Sequence, residues 1–303
     1  MGAETYSMVL WAMAGIAVFV FIALYFIKAG YGIFRTKAWG LSIPNKAAWV
    51  LMEAPVFFVM LWLWADSGYT TEMPQLLCLL LFQLHYFQRS FVFPFLMKGK
   101  SRMPIAIMLM GIVFNVINGI LQGGGLFSFP PAAYAEGAAY LLRPNAIVGT
   151  VVFFVGMAIN MHSDHVIRHL RKPGDTRHYL PQKGFYRYVT SANYFGELVE
   201  WTGFAILAAT PAAWLSLSFG RQPILCHAPL PSTVTTARSL AMPWEPERES
   251  FRLSIDLSDK RHIWKIILFI LKERDFDMGL RKITIVALGV MTTVPLGSIC
   301  LLL

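Results

Sequence analysis

Residues 156–175 have the sequence GMAINMHSDHVIRHLRKPGD, and residues 185–201 continue with FYRYVTSANYFGELVEW. These two segments hold more ionisable and amide side chains than any comparable window before them, yet an apolar segment leads into them and another follows. Polar groups at the end of an apolar helix indicate a site that opens to water at a membrane surface. In a membrane protein, ionisable residues in such a position are functional candidates by default.

The spacing of these polar residues predicts two helices that each have a polar face. Residues separated by three or four positions share one face of a helix. One such set comprises Asn160, Asp164, Arg168 and Arg171. A second comprises Asn193, Glu197 and Glu200. Because Glu197 and Glu200 lie in an apolar helix, their carboxylates need polar partners. The basic residues of the preceding loop are the nearest candidates in the sequence.

The composition predicts an all-α, polytopic membrane protein. Of the 303 residues, 56% are hydrophobic, and the mean hydropathy is +0.54. A bilayer-spanning helix needs about 20 apolar residues. Seven runs approach or reach this length, which predicts about seven transmembrane helices; they cover roughly 8–27, 48–65, 75–97, 104–122, 146–166, 198–219 and 284–303.

The net charge of +9 is concentrated in alternate loops, those that follow the first, third and fifth apolar runs. Basic loops stay in the cytoplasm, so we expect an outside N-terminus and a cytoplasmic polar site (at the inner membrane, if the source is bacterial). We expect a monomer in the lipid bilayer. Nucleic acid is excluded as a partner because the basic residues are split among loops.

Two apolar runs upstream contain polar residues at depth. Glu53 lies with Pro55 in the second run, where a carboxyl group must be protonated, hydrogen-bonded or in contact with water. The third run contains His85, Tyr86 and Arg89. Arg89 is far enough along the run that its charge could instead extend to the membrane surface. Gly123–Gly125 lack the context of a dinucleotide fingerprint and predict a flexible turn.

No metal site is predicted. His162 and His165 are three residues apart, but Asp164 between them is directed elsewhere and no third ligand is evident. The three cysteines are widely spaced and indicate neither a disulfide framework nor a metal knuckle.

The motifs resemble those of the steroid 5α-reductase family. The long motif NMHSDHVIRHLRKPGD with FYRYVTSANYFGELVEW is similar to that family's C-terminal core. The segments WVLMEAP, HYFQRSFVFPFL and NGILQG resemble its upstream motifs, in the same order. The resemblance covers about residues 28–219 and looks closest to bacterial-type members.

This resemblance implies a seven-helix membrane fold that binds NADPH at its cytosolic end and reduces the C4–C5 double bond of a 3-oxo-Δ4 steroid, of the testosterone or progesterone type. By position, Glu53 and Tyr86 resemble the catalytic pair that contacts the 3-keto oxygen. The resemblance also implies a set of cofactor-binding residues: Asn160, Asp164, Arg171, Asn193, Glu197, Arg89, Tyr31 and Trp201.

The chemistry of the residues agrees with that reaction. Hydride addition to the β-carbon of an enone places negative charge on the carbonyl oxygen, which hydrogen-bond donors stabilise. Tyr86 and a protonated Glu53 are suitable donors. Three alternatives stay open: a trans-2-enoyl-CoA reductase, an isoprenylcysteine-type methyltransferase, and a non-catalytic lipid-binding membrane protein.

The chain departs from the family pattern in three places. Met52 occupies a position where the family commonly has glutamine, and His178–Tyr179 replace a Tyr-Arg pair. After Trp214 the family's Arg, His and Tyr motifs are missing. We therefore divide the chain into a reductase domain at 1–220, a divergent polar segment at 221–260, and a region at 261–303 with an amphipathic run and an apolar span.

We predict that the divergence reflects a shifted reading frame. If the codons of residues 221–238 are read one frame over, they permit Asn-Pro-Val-Pro-Arg-Ala followed by His-Arg-Asp-Tyr. The Arg-to-Tyr spacing is then that of the family. The coding DNA checks this directly: the shifted frame is expected to encode that text, and any other text there refutes the hypothesis.

Overall fold

A computed structural model describes residues 1–26, 39–99, 101–170, 179, 181–189 and 191–220. Within them the chain forms eight α-helices, which we label α1 to α8: Ala3–Phe26, Asn45–Ala65, Met73–Phe87, Phe93–Leu96, Ile105–Gly123, Pro144–Arg168, Ala192–Ala208 and Pro211–Gly220. Short π-helical segments extend α3 (Gln88–Val92) and α5 (Gly124–Ser128), and 3₁₀ segments occupy Ala132–Leu142 and Gly184–Arg187.

The all-α, polytopic prediction is confirmed. In the described part of the chain, four helical segments are long and apolar enough to cross a membrane: Asn45–Ala65, Met73–Leu96, Ile105–Ser128 and Pro144–Arg168. The predicted count of seven is not confirmed. The divergent segment 221–260 and the region 261–303, with its predicted last span, lie outside the described residues, as do Tyr31 and Arg171.

The predicted sixth run, 198–219, is two helices in the structure. Helix α7 ends at Ala208, Ala209 adopts a left-handed conformation (φ 50°), and α8 starts at Pro211. Proline has no N–H to continue the hydrogen bonds of a helix and restricts the residue before it. The buried phenols of Tyr140 and Tyr134 donate to the carbonyls of Leu207 and Ala208 at 2.6 and 2.9 Å. These bonds satisfy carbonyls that the end of α7 leaves exposed.

A two-stranded ribbon holds the starts of α2 and α5 together. Strand β1 (Ser42–Pro44) pairs antiparallel with β2 (Arg102–Pro104), and each strand leads directly into its helix. Helices α2 and α5 then run parallel and close together, because Gly119 and Gly123 of α5 face Val59 and Leu63 of α2. This shared starting point sets the register between the two helices.

Glycines bring α6 and α7 into direct backbone contact. A Cβ atom at Gly156 of α6 would overlap the backbone nitrogen of Glu200, and one at Gly203 of α7 would overlap that of Phe153. Gly149 and Gly196 face the opposite backbone in the same way. Small residues at such spacing allow membrane helices to approach closely. The antiparallel α6–α7 pair thus aligns the two polar faces predicted from the sequence.

The predicted flexible turn at Gly123–Gly125 is wrong. All three glycines are buried, and the chain continues helically through Ser128. Gly124 and Gly125 pack against the ring and hydroxyl of Tyr6 in α1, where a side chain would not fit. These glycines provide room for a neighbouring helix.

We predict that Gly156→Ala destabilises the protein by about 1–3 kcal/mol, because the added methyl group forces α6 away from α7. Gly15→Ala is the matched control: Gly15 is also helical, but apart from its own helix backbone and chain neighbours no atom lies within 4 Å of its Cβ position. Thermal unfolding in detergent measures both variants. Equal midpoints for the two would contradict the close α6–α7 contact.

Candidate active site

Three polar residues near the end of α3 contact three different partners. His85, Tyr86 and Arg89 are all buried. The His85 ring nitrogen Nδ1 lies 2.8 Å from Glu200 Oε1 of α7, in a pair whose side chains are 4% and 1% exposed. A carboxylate buried to this degree needs such a partner. The contact fixes the rotation of α3 relative to α7.

Arg89 is the cation of a buried cluster. Its Nε lies 3.1 Å from Glu197 Oε1, and its NH1 lies 3.6 Å from Asp164 Oδ2. The guanidinium also lies over the rings of Trp49 and Phe93, 5.1 and 4.6 Å from their centroids. Arg89 therefore points inward, and an extension to the membrane surface is excluded. It joins α6, α7 and α2 to the segment after α3.

Asn193 connects the polar faces of α6 and α7. Asn160 Nδ2 donates to the Asn193 carbonyl at 2.8 Å. The phenol O–H of Tyr186 donates to Asn193 Oδ1 at 3.2 Å. Burial, and then the nearby Asp164, raises the pKa of the Tyr186 phenol. The phenol therefore stays a donor at physiological pH.

Tyr86 is at the end of a hydrogen-bonded chain from α5 and α8. Asn118 Nδ2 contacts the Tyr86 hydroxyl at 3.2 Å, and the Ser216 hydroxyl donates to Asn118 Oδ1. Gln122 Nε2 lies 2.8 Å from Ser216 Oγ and 3.0 Å from the Ala212 carbonyl. The Tyr86 ring also packs against Phe82, with centroids 4.7 Å apart.

Glu53 is held on the same helix α5. Asn115 Nδ2 lies 3.2 Å from Glu53 Oε2 and 2.8 Å from the Met52 carbonyl. Because Asn115 and Asn118 are one turn apart, Glu53 and Tyr86 are anchored to the same face of α5. The two predicted catalytic residues therefore lie on one side of the bundle.

Comparison with known proteins identifies the family. The family model described as 3-oxo-5-alpha-steroid 4-dehydrogenase matches residues 101–228. The chain is 36% identical to 3-oxo-5-alpha-steroid 4-dehydrogenase 1 of Bos taurus over 66% of its own length and 77% of the relative's. For the type 2 proteins of Homo sapiens and Sus scrofa, the identities are 39% and 37%, over 65% and 70% of this chain and 79% and 85% of the relatives. The chain belongs to the 3-oxo-5-alpha-steroid 4-dehydrogenase family. Its members are steroid 5-alpha-reductases, so the predicted family and oxidoreductase class are confirmed.

The structure brings most of the described residues among those predicted for the site into two adjoining groups. Arg89 contacts Glu197 and Asp164, and Asn160 contacts Asn193. Trp201 belongs to the other group: its ring lies 4.8 Å from that of His85 and 5.8 Å from that of Tyr86.

The α7 glutamates have partners far away in the sequence. Among the described residues, Glu197 pairs with Arg89 and Glu200 with His85, both from α3 and its π-helical extension. Most basic residues of the loop before α7, the partners expected from the sequence, lie outside the described residues, so that expectation stays a prediction. No cluster of His, Cys, Asp or Glu suited to a metal ion occurs in the described part of the chain.

Asn115 and Asn118 were missed as site residues. The signal was present in the sequence, since two asparagines occur three residues apart inside the apolar run Ile105–Gly123. Buried amides in a membrane helix need hydrogen-bond partners. Both asparagines are therefore site candidates from the sequence, together with Glu53 and Tyr86.

We predict that Arg89→Met destabilises the protein by about 3–5 kcal/mol, because it removes the buried cation that contacts two buried carboxylates. The double variant Arg89→Met/Glu197→Gln should regain part of the lost stability, because one of the two buried negative charges is then removed as well. Arg143→Met is the matched control, because the Arg143–Glu136 pair is 29% and 41% exposed and exposed pairs contribute about 0–1 kcal/mol. Thermal unfolding in detergent measures the stability of all three variants. If Arg89→Met loses no more stability than Arg143→Met, the buried cluster does not stabilise the fold.

Proposed function

We propose that this chain uses NADPH to reduce the C4–C5 double bond of a 3-oxo-Δ4 steroid. The observation that carries the proposal is that Glu53 and Tyr86, the predicted pair of donors, are bonded to asparagines one turn apart on α5. Membership of the steroid 5-alpha-reductase family supports the reaction class. The assignment of substrate, cofactor and residues is our inference.

The two donors would bind the 3-keto oxygen. Negative charge develops on that oxygen when the β-carbon of the enone gains a hydride. Hydrogen bonds that are already in place stabilise this charge without reorganisation. Tyr86 is 4% exposed, and a donor in such a water-poor setting acts more strongly than in water. Together, Tyr86 and a protonated Glu53 could donate to the oxygen and supply the proton that the enolate takes up.

The described residues beside this pair fit a dinucleotide. Two buried hydroxyls there, Ser90 Oγ and Ser163 Oγ, have no hydrogen-bond partner among the described residues. Asp164 Oδ2 likewise makes no hydrogen bond there, although it lies 3.6 Å from Arg89 NH1. Hydroxyls and carboxylates of this kind suit the ribose and carboxamide groups of a nicotinamide nucleotide. A buried nitrogen of Arg168, NH1, likewise lacks a partner in the described ranges and suits a phosphate oxygen. When bound, the cofactor supplies the hydride.

The other polar residues would shape this binding region. Arg89 keeps the carboxylates of Asp164 and Glu197 in place, and Asn160 ties α6 to the first turn of α7. Trp201 and Phe82 pack beside Tyr86 and limit its ring to one orientation. The predicted roles of Tyr31 and Arg171 in cofactor binding stay predictions.

We infer that the C-terminal end of α6 faces the cytoplasm. His165 and Arg168 lie in its last turn, and the basic loop that follows favours the cytoplasmic side. NADPH would then reach the site from the cytoplasm, and an apolar steroid would reach it from the bilayer. A monomer contains every described residue of the proposed site.

We predict that the purified protein in detergent oxidises NADPH when testosterone is added. The absorbance of the reduced nicotinamide should fall, and the product should be the 5α-reduced steroid. No loss of absorbance, together with binding of S-adenosylmethionine, would favour the methyltransferase alternative. Activity on a trans-2-enoyl-CoA but on no steroid would favour the other reductase.

We also predict that Tyr86→Phe and Glu53→Gln each lower kcat by about a hundredfold while leaving NADPH affinity nearly unchanged, because each removes a donor that acts in the transition state. Tyr140→Phe is the matched control. It also removes a buried phenol, one that donates to the Leu207 carbonyl, so it should affect stability and not turnover. Normal kcat in either site variant would remove that residue from the mechanism.

A further inference from the structure

We propose that α5 positions both proton donors: Asn118 directs the proton of Tyr86, and Asn115 holds the carboxyl group of Glu53 in place. This inference rests on the proposed function and assigns positioning roles to two residues that do not themselves meet the reacting atoms. It follows from the direction of each hydrogen bond around them.

A backbone carbonyl fixes the direction of the chain that ends at Tyr86. The Ala212 carbonyl can only accept, so the Gln122 atom 3.0 Å from it must be the amide nitrogen. The same nitrogen contacts Ser216 Oγ at 2.8 Å and donates to it. A reversed Gln122 amide would place two acceptors face to face at Ala212.

The remaining directions then follow one by one. Ser216 accepts from Gln122, so its single proton is directed to Asn118, whose Oδ1 is the atom in contact. The amide nitrogen of Asn118 must therefore face Tyr86, 3.2 Å away. An amide N–H can only donate, so the phenol oxygen accepts in this contact and its own proton points away from Asn118.

A second backbone carbonyl fixes Asn115. The Met52 carbonyl lies 2.8 Å from Asn115 Nδ2, so the nitrogen is assigned there too. The same nitrogen contacts Glu53 Oε2 at 3.2 Å, which makes Oε2 an acceptor. The carboxyl group of Glu53 is thereby held against α5. Each of the two donors thus receives a hydrogen bond from an asparagine of α5.

Such an arrangement strengthens the proposed chemistry. Hydrogen bonds in a chain polarise one another, and a phenol that accepts one becomes a better donor. The side chains involved are buried or half-buried: Asn115 is 6% exposed, Asn118 is 5% and Gln122 is 0%. Water therefore competes little for these bonds. A purely structural link from α5 to α8 would not depend on the direction of the Asn118 amide.

The test compares variants that break the chain at different links. Asn118→Leu removes the donor to Tyr86, and Asn118→Asp replaces it with an acceptor that draws the phenol proton inward. We expect kcat to fall about tenfold or more in both, with KM nearly unchanged. Ser216→Ala should show a smaller fall, and Ser216→Thr, which keeps the hydroxyl, should restore wild-type kcat.

The second readout is the ultraviolet absorption of a 3-oxo-Δ4 steroid bound without turnover. Donation to the ketone shifts this band to longer wavelength. We expect a smaller shift in Asn118→Leu and Ser216→Ala than in wild type and Ser216→Thr. Thr150→Val is the control, because its hydroxyl donates only within its own helix, to the Ala146 carbonyl, and both readouts should stay unchanged.

Several outcomes overturn the inference. They are an unchanged shift and kcat in Asn118→Leu, a change in KM alone, or equal losses in Ser216→Ala and Ser216→Thr. If Asn118→Leu does not fold, the two Ser216 variants decide.

Failure of the proposed function is recognised separately. If wild type neither binds nor reduces steroids, that proposal fails. The Asn118–Tyr86 hydrogen bond can still be tested by the thermal midpoints of Asn118→Leu, Tyr86→Phe and the double variant. Non-additive shifts of the midpoint support the hydrogen bond, and additive shifts refute it.

Discussion

The close approach of α6 and α7 is the constraint on which the polar interior depends. Helices that meet through glycine place their backbones in contact, so their side chains cannot slide or rotate independently. Asn160 reaches the Asn193 carbonyl because Gly156 and Gly196 leave no space between the two backbones. With that register set, Glu197 and Glu200 face α3 and require a cation and a histidine there. The polar pairs therefore follow from a packing rule among residues that carry no charge.

Helix α3 lies between two helix pairs of the described bundle. On one side α3 faces α2 and α5, whose first residues are held together by the β1–β2 ribbon. On the other it faces the α6–α7 pair. Three polar residues at the end of α3 and just after it divide between these helix pairs, since Tyr86 bonds to α5 while His85 and Arg89 bond to α7. Buried polar networks of this kind specify one arrangement only when their members are satisfied. A small rotation of α3 would disrupt its contacts with both helix pairs at once.

The sequence predicted the class of fold and the two polar faces that meet between α6 and α7, for identifiable reasons. Apolar length sets the membrane-spanning segments, and three- and four-residue spacing sets the polar faces of α6 and α7. Three features required the structure. Ala209 and Pro211 divide an apparently continuous apolar run. Gly124 and Gly125 serve close packing against Tyr6, a use of glycine that looks the same as a turn in sequence. The partners of Glu197 and Glu200 among the described residues come from a distant part of the sequence, and residue spacing carries no information about such pairs.

The ribbon has a consequence for biogenesis. Ser42 pairs with Pro104, so β1 cannot pair until the nascent chain has been synthesised beyond two intervening hydrophobic segments. During that interval α2 enters the bilayer before Asn115 exists to contact Glu53. Proline and a carboxyl group within one apolar segment make its early insertion costly. We therefore expect α2 to depend on the translocon or an insertase more than its neighbours do, and to settle into its final position only once α5 arrives.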